Sequence, residues 1–245
     1  MLKLEKIWSG YRLRPVIEDI NFSVKNGETV SIIGKNSCGK STLLKTAAGL
    51  IMPIRGCVFL DNLPMTEYSG REVAAKIAYM PQIHTASAIT VEELVCYSRF
   101  PYLKFGHPMG ENDISAVNNA IKLAGLSSLR MAPLDRLSSG QRQLAYIAAV
   151  LAQETDILLL DEPTAFLDIS YQLKIMKVVS MLKSLGKTVI MVLHDIEFAI
   201  QFSDRVLIMS EGKVILDSSS SNLPAEALNT AFDINHSRED LVTLM

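Results

Sequence analysis

The sequence has 245 residues, is 49% hydrophobic and 20% charged, and carries a formal net charge of -2 at pH 7. These values are typical of a folded globular chain rather than a disordered one, and the lack of a dense Lys/Arg run argues against nucleic acid as the main partner. The longest apolar run, Leu144 to Ala152, is too short to cross a bilayer, no signal peptide is predicted, and the three cysteines fit neither a metal-binding nor a disulfide pattern. We therefore expect a soluble, cytosolic protein that reaches a membrane only through a partner.

The first 33 residues alternate short apolar stretches with turn signals, which predicts two or three strands. The stretch from Gly34 to Thr42 then fits the G-x-x-x-x-G-K-[ST] pattern of a phosphate-binding loop. Gly34 and Gly39 let the backbone curl so that successive N–H groups point at an anion. Lys40 supplies positive charge for the β- and γ-phosphates, and the Ser41 hydroxyl is a ligand for Mg²⁺.

The elements around this loop support the same interpretation. A short buried strand is predicted over 30–33 and a helix over 41–48, ending at Gly49, so that a helix N-terminus faces the phosphates. The alternative, a chance match in a glycine turn, would not require these neighbours. Tyr11 lies upstream, where an aromatic ring could stack on an adenine, although an isolated tyrosine is more often packed or at the surface.

After the loop, strands are predicted over 58–60 and 77–80, and Gln82 follows directly on the second. Thr90 begins a capping box, with a glutamate three residues later, and so marks the start of a helix. Helical patterning continues beyond it. We therefore predict a largely helical insertion at about 84–153.

The sequence Ser138-Ser139-Gly140-Gln141 opens the last helix of that insertion. One interpretation is structural, with Ser138 as the N-cap and Gln141 as its reciprocal partner in a capping box. The other is functional, because a helix N-terminus that begins with small residues can approach an anion closely. The sequence alone does not separate the two, and both can hold at different stages of a cycle.

Four consecutive branched aliphatics at 157–160 predict a parallel strand buried on both faces, and Asp161 and Glu162 follow at its carboxyl end. Ligands bind at that edge of an open α/β sheet, so we interpret Asp161 as holding Mg²⁺ from just outside its direct ligands and Glu162 as orienting or deprotonating an attacking water. A solvated acidic turn is the alternative. The apolar strand predicted over 188–193 ends in His194, which would lie at the same edge, although a lone histidine is usually structural.

The helix predicted between these two strands carries apolar residues at every third position. We expect this face, with its methionine, to be core rather than a cofactor site. The residues concerned are Leu173, Met176, Val179 and Leu182. From position 217 onward the chain is Ser-rich and then weakly helical, and neither it nor His84, His107 and His236 indicates any chemistry.

The order and spacing of these motifs resemble those of the ATP-binding subunit of an ABC transporter, over about residues 2–216. The stretch 34–42 is similar to the Walker A loop, Leu137–Gln141 to the family signature, and Leu160–Pro163 to Walker B with its catalytic glutamate. Asp168 is similar to the aspartate of the D-loop. The resemblance implies ATP and Mg²⁺ as cofactors and ATP hydrolysis as the activity.

The resemblance also assigns roles to individual residues. Glu162, His194 and Gln82 are implied to be catalytic, and Gln82 is implied to contact both Mg²⁺ and water. Ser41, Gln82 and Asp161 are implied to hold Mg²⁺. The residues implied to contact ATP are Tyr11 as the adenine-stacking aromatic, Gly34, Asn36, Ser37, Cys38, Gly39, Lys40, Ser41, Thr42, Ser138, Ser139, Gly140, Gln141 and Asp168.

At two positions the chain departs from the family pattern, because Ser37 and Ser139 stand where glycine is usual. If Ser37 requires a positive φ, its Cβ costs on the order of 1 kcal/mol, which folding tolerates. Gly140, whose N–H is expected to approach the γ-phosphate, is retained. We therefore expect both halves of the site to work.

The fold implied by the resemblance is α/β, with a P-loop NTPase (RecA-like) core, an antiparallel β subdomain and an inserted helical subdomain. The chain is then a single ABC ATPase domain. Residues 1–83 and 154–220 would form the core with the β subdomain, 84–153 the helical subdomain, and 221–245 a C-terminal tail.

Two ATPase subunits of this family dimerise head to tail, with ATP between the Walker A loop of one and the signature helix of the other. The resemblance therefore implies a homodimer in which the helix begun by Ser138 acts in trans on the γ-phosphate. It further implies integral-membrane permease subunits that dock on the helical insertion, with Gln82 as its hinge. A substrate-binding protein would be an indirect partner, and the location would be peripheral, on the cytoplasmic face of the inner cell membrane.

The cargo is indicated only by resemblance to a subfamily. Residues 145–148, 164–173 and 192–195 are most similar to ATPases of ferric-siderophore, haem and cobalamin importers. We therefore expect an importer of a metal chelate, with an iron-siderophore complex as the first choice and free metal ions or oxyanions as the main alternative. A soluble ABC-type ATPase in cofactor or cluster assembly is a second alternative. A mechanical protein acting on DNA or the ribosome would carry a coiled-coil insertion or two tandem cassettes. This sequence has one cassette and a short insertion, which disfavours that class.

Overall fold

Strands and helices alternate along most of the chain, whose computed structural model describes residues 1–12, 14–82, 88–103, 107–224 and 232. The strands within these ranges are β1 (Leu2–Tyr11), β2 (Arg14–Val24), β3 (Thr29–Gly34), β4 (Arg55–Leu60), β5 (Leu63–Pro64), β6 (Ile77–Met80), β7 (Ile157–Asp161), β8 (Thr188–Val192), β9 (Arg205–Ser210) and β10 (Lys213–Ser219). The α-helices are α1 (Lys40–Ala47), α2 (Gly70–Lys76), α3 (Val91–Tyr97), α4 (Glu111–Leu123), α5 (Ser139–Ala152), α6 (Ile169–Ser184) and α7 (Ile196–Phe202).

Two sheets organise these strands. The larger has the order β10-β9-β3-β8-β7-β6, in which β10 is antiparallel to β9 and the other neighbours are parallel. The smaller is antiparallel throughout and has the order β2-β1-β4-β5. Every residue of β3, β7 and β8 is buried, which confirms the buried strands predicted from continuous apolar runs. The predicted α/β architecture with a separate antiparallel sheet is confirmed as well.

The two faces of the larger sheet enter two separate hydrophobic clusters. Leu158 and Leu160 of β7 belong to the cluster that includes α5 and α6. Ile157 and Leu159 belong to the cluster formed with α1 and the antiparallel sheet. This alternation follows from the two-residue period of a strand. Because both faces are covered, the ends of the parallel strands are the part of this sheet that is left for a ligand.

Helices α3, α4 and α5 lie between β6 and β7 in the sequence and pack against one another. The Thr90 side chain accepts a hydrogen bond from the backbone N–H of Glu93 and begins α3. Ser138 begins α5 in the same way with Gln141 as its partner. Both predicted capping boxes are confirmed, and the boundaries of the subdomains remain predictions.

Three expectations need correction. Helix α2, which begins with its own capping box at Ser69, is missing from the sequence prediction. Leu173 is 40% exposed and so lies off the core face of α6, whereas Met176 is fully buried as predicted. Residues 217–219, which were expected to begin the Ser-rich C-terminal segment, complete β10 instead.

Two of the histidines without a pattern, His84 and His236, lie outside the described residues, and His107 is exposed. In the part of the chain that the structure describes, no helix has the length and apolarity to cross a bilayer.

Candidate nucleotide-binding site

The predicted phosphate-binding loop connects the buried strand β3 to helix α1. Gly34 and Gly39 have φ values of 149° and 103°. A Cβ on Gly34 would lie 2.2 Å from the Met209 carbonyl oxygen, and one on Gly39 would lie 2.5 Å from Cγ2 of Ile17, so both positions require glycine. The N-cap of α1 is Gly39, which provides no side-chain cap. The first N–H groups of the helix are therefore left for an anion.

Three residues of the loop, Lys40, Ser37 and Cys38, have different environments. Lys40 Nζ donates hydrogen bonds of 2.8 Å to the carbonyl oxygens of Gly34 and of Lys35, which hold the ammonium against the loop backbone. Ser37 adopts a φ of 64°, so the positive φ considered for this position is confirmed. Cys38 is buried within the cluster that includes α1, and this burial raises the pKa of its thiol. Its side chain is therefore a packing group in the described structure.

A cavity of about 420 Å³ opens in front of the loop. It brings the loop together with Gln82, which lies just beyond β6, and with Glu162, which follows β7, as the sequence predicts for one edge of a parallel sheet. The residues that line it are Val16, Asn36, Ser37, Gly39, Lys40, Ser41, Thr42, Gln82 and Glu162.

Asp161, the last residue of β7, is 1% exposed, so the alternative of a solvated acidic turn is wrong for this residue. Ser41 Oγ donates a 2.9 Å hydrogen bond to its Oδ1, and the Tyr79 hydroxyl donates a 3.1 Å hydrogen bond to its Oδ2. Burial raises the pKa of Asp161, and the two hydrogen bonds offset part of that increase. Burial and the neighbouring carboxylate also raise the pKa of Tyr79, which keeps its hydroxyl a donor.

Glu162 is 8% exposed and contacts the two other residues that were predicted to be catalytic. Gln82 Nε2 donates a 2.6 Å hydrogen bond to its Oε2. His194 Nε2 lies 2.8 Å from its Oε1. Glu162 also has a φ of 52°, a left-handed conformation that is costly for a residue with a Cβ. Side chains that follow β6, β7 and β8 therefore converge on one carboxylate.

The chemistry of this donor set fits Mg²⁺. The Ser41 hydroxyl and the Asp161 carboxylate are already hydrogen-bonded to each other, and Gln82 and Glu162 add oxygen atoms nearby. Mg²⁺ prefers oxygen ligands and takes only one or two carboxylates, because it keeps water and phosphate oxygens in its shell. No group of three His, Cys, Asp or Glu residues suited to a metal is found in the described ranges.

The predicted signature residues lie on a different part of the surface. Ser138 accepts a 3.2 Å hydrogen bond from Gln141 N–H, and Gln141 Oε1 accepts one of 3.0 Å from Ser138 N–H. Gly140 is buried against the ring of Tyr171, where an added Cβ would lie 2.4 Å from Cγ. The Asp168 side chain caps α6 by accepting hydrogen bonds from the N–H groups of residues 170 and 171.

The cavity therefore unites part of the predicted set and leaves part outside. The predicted residues that do not line it are Tyr11, Gly34, Cys38, Asp168 and residues 138–141. Asp161 and His194 adjoin it through Ser41 and Glu162. Sequence reasoning missed Val16, for which the sequence holds no signal. It also missed Tyr79, which the alternation of β6 could have indicated.

A family model described as ABC transporter matches residues 17–165 of this chain. Among curated relatives, the iron(3+)-hydroxamate import ATP-binding protein FhuC of Bacillus subtilis is 36% identical over 96% of this chain and 88% of that protein. The ferric enterobactin transport ATP-binding protein FepC of Escherichia coli is 40% identical over 87% of this chain and 80% of that protein.

Solved structures give the same picture. The dimeric post-hydrolysis structure of the ATP-binding cassette MJ0796 with ADP and Pi has a TM-score of 0.79 at 29% identity, and the match covers 91% of this chain and 100% of that chain. The structure of cbiO1 from Clostridium perfringens, part of the ABC transporter complex cbiONQ, has a TM-score of 0.80 at 30% identity over 100% and 98% of the two chains.

Proposed function

We propose that this chain, which belongs to the ABC transporter family, is the ATPase subunit of an importer for a metal chelate. It is an ATP-binding cassette with a P-loop NTPase fold, and it hydrolyses ATP. The cavity in which the loop of Lys40 meets Gln82 and Glu162 supports the ATPase part of this proposal, and the relatives support the importer part. The cargo we propose is an iron-siderophore complex.

In this proposal the ATP phosphates lie along the loop, where the uncapped N–H groups of α1 and Lys40 Nζ bind them. Ser41, Asp161 and Gln82 would hold Mg²⁺, which neutralises charge on the phosphate oxygens when bound. Tyr11, which is exposed, would stack on the adenine. The cofactor contacts predicted for Asn36, Thr42 and the other loop residues belong to the same proposal.

Glu162 would orient or deprotonate the attacking water. Both of its oxygens have partners in the structure, because Gln82 bonds one and His194 lies against the other. To accept a hydrogen bond from water, the carboxylate must release one of them. We propose that Gln82 is the partner that moves, as the hinge of the helical insertion, while His194 holds the water and the γ-phosphate in line.

The residues left outside the cavity would act on a second copy of the chain. Phe166 is 94% exposed, and Ile169 and Leu173, which follow Asp168 on α6, are exposed too. Exposed apolar side chains that cluster on a surface are typical of an interaction site. They support a homodimer in which residues 138–141 and Asp168 complete the partner's ATP site.

A second surface supports docking of a permease. An apolar groove of about 920 Å³ lies between the end of α1, helix α2 and helix α3. Leu50, Met52, Tyr97 and Phe100 line it and are largely exposed. We propose that an integral-membrane permease subunit occupies this groove, which would keep the ATPase on the cytoplasmic face of the membrane. A substrate-binding protein would act through the permease.

The cargo proposal is supported by the two relatives reported above, whose names specify iron(3+)-hydroxamate and ferric enterobactin. Deletion of the gene is expected to abolish uptake of labelled iron-siderophore complexes, and the wild-type gene but not Glu162→Gln should restore it. Lost uptake of free metal ions or oxyanions with unchanged uptake of siderophore, haem and cobalamin would overturn the cargo. Membrane sedimentation distinguishes this proposal from a soluble ATPase in cofactor assembly. An importer subunit should sediment with the membrane fraction and be released from it when its permease is deleted.

A further inference from the structure

Tyr79 is the residue of the edge strand β6 that reaches the proposed metal site. It pairs with Leu159 in the parallel register of β6 and β7. Side chains two residues apart on a strand share a face, so Leu159 and Asp161 point to the side of the sheet on which Tyr79 lies. A tyrosine side chain is long enough to extend along that face. Its hydroxyl lies 3.1 Å from Asp161 Oδ2.

The Asp161 carboxylate thus has a separate hydroxyl donor on each oxygen. Ser41 Oγ bonds Oδ1, and the Tyr79 hydroxyl bonds Oδ2. A single hydrogen bond allows a carboxylate to rotate about it, whereas a donor on each oxygen fixes its plane. Because Asp161 is almost fully buried, the loss of a donor leaves one carboxylate oxygen without a protein hydrogen bond in a buried site, which is costly.

We propose that Tyr79 is a positioning residue that fixes the Asp161 carboxylate for Mg²⁺. The Ser41 hydroxyl is itself a proposed Mg²⁺ ligand, so Tyr79 is the anchor of Asp161 that stays outside the metal's own shell. Partners that orient metal-holding groups in this way tune the affinity for the metal. The inference rests on the proposed Mg-ATP site.

The test compares Tyr79→Phe with Tyr68→Phe. Both tyrosines pack against the same hydrophobic cluster and line the same groove. The Tyr68 hydroxyl donates a 3.0 Å hydrogen bond to the Leu60 carbonyl oxygen rather than to a carboxylate. Each variant therefore loses one hydroxyl and one hydrogen bond, and only Tyr79→Phe changes Asp161.

The readout is equilibrium binding of a fluorescent ATP analogue, titrated with MgCl₂ and also measured in EDTA. For Tyr79→Phe we expect the Mg²⁺ concentration for half-maximal enhancement of binding to rise about tenfold, the lower end of the effect of losing such a partner. Affinity in EDTA should stay unchanged. Tyr68→Phe should match the wild type in both conditions, and thermal unfolding should show that both variants are folded.

An unchanged Mg²⁺ requirement in Tyr79→Phe would overturn the inference. So would an equal shift in Tyr68→Phe, or an equal loss of affinity in EDTA, since each would indicate a general packing effect. A wild-type chain that shows no Mg²⁺-dependent nucleotide binding would instead overturn the proposed site itself, so the two failures are distinguishable.

Discussion

Ser37 combines a departure from the family's usual glycine with a measurable backbone cost. Its φ of 64° lies in the left-handed region. For a residue with a Cβ this conformation costs about 1–2 kcal/mol, whereas glycine loses about 0.5–1 kcal/mol more conformational freedom on folding. The middle values of the two ranges predict that Ser37→Gly raises the free energy of unfolding by about 0.75 kcal/mol.

Thermal unfolding without nucleotide measures this gain, because Ser37 lines the cavity and bound ATP would add its own stabilisation. For a chain of this size, 1 kcal/mol corresponds to about 2–4 °C, so the expected rise in Tm is about 1.5–3 °C. Ser37→Ala is the matched control. It removes the hydroxyl and keeps the Cβ, so no gain is expected.

The two variants together decide the reasoning. A rise in Tm for Ser37→Gly alone identifies the Cβ in a left-handed conformation as the cause. Equal rises in both variants would assign the effect to the hydroxyl, and a lower Tm for Ser37→Gly would show that the strain at Ser37 is smaller than the entropy cost of glycine. Denaturant titration provides the same free-energy difference independently.

Three substitutions test the proposed chemistry. Glu162→Gln should lower turnover about 10²–10⁴-fold, the usual worth of a general base, yet bind Mg-ATP and accumulate as a dimer in size-exclusion chromatography. The control is Glu197→Gln, the same change at an exposed residue of α7, which should behave as wild type. If Glu162→Gln stayed monomeric and hydrolysed ATP normally, Glu162 would not be the residue that activates the water. Lys40→Ala should weaken ATP binding, so its dimer should not accumulate. His194→Ala should lower kcat far more than it weakens ATP affinity, and equal losses would indicate a structural histidine.

The buried strands and capping boxes could be predicted because their signals are local. A run of branched aliphatics over 157–160 has no face for solvent, and β7 is buried throughout. A capping box is complete within four residues, as at Thr90 and Ser138. Helix α2 carries the same signal at Ser69, but none of its residues is buried, so it has no apolar period to support the prediction.

The error at Leu173 has a geometric cause. A step of three residues turns an α-helix by about 300°, so an apolar residue at every third position moves around the helix by about 60° each time. After three such steps Leu173 and Leu182 lie on opposite sides. The structure accordingly buries Leu182 and exposes Leu173. An exact period of three therefore predicts a core face only over about one turn on either side of its centre.

The sheet-edge residues could be predicted, but their contacts could not. Adjacent parallel strands end together, so Asp161 of β7 lies beside Val192 of β8 and His194 follows closely. That Glu162 holds both Gln82 and His194 depends on its left-handed φ and on side-chain directions, for which the sequence carries no signal.

The two interpretations of the signature sequence are compatible in the structure. Ser138 Oγ accepts from Gln141 N–H, and the Ser138 carbonyl oxygen accepts from Arg142 N–H. The N–H groups of Ser139 and Gly140 thus have no partner among the described residues. A capping box satisfies one of the first N–H groups of a helix and fixes the direction of the others. The cap of α5 therefore leaves the N–H groups of Ser139 and Gly140 unbonded and fixes their direction. In the proposed dimer these two donors would bind an anion held by a second copy. Ser139 stands where the family usually has glycine, and a serine at this position has the same backbone N–H that a glycine would have.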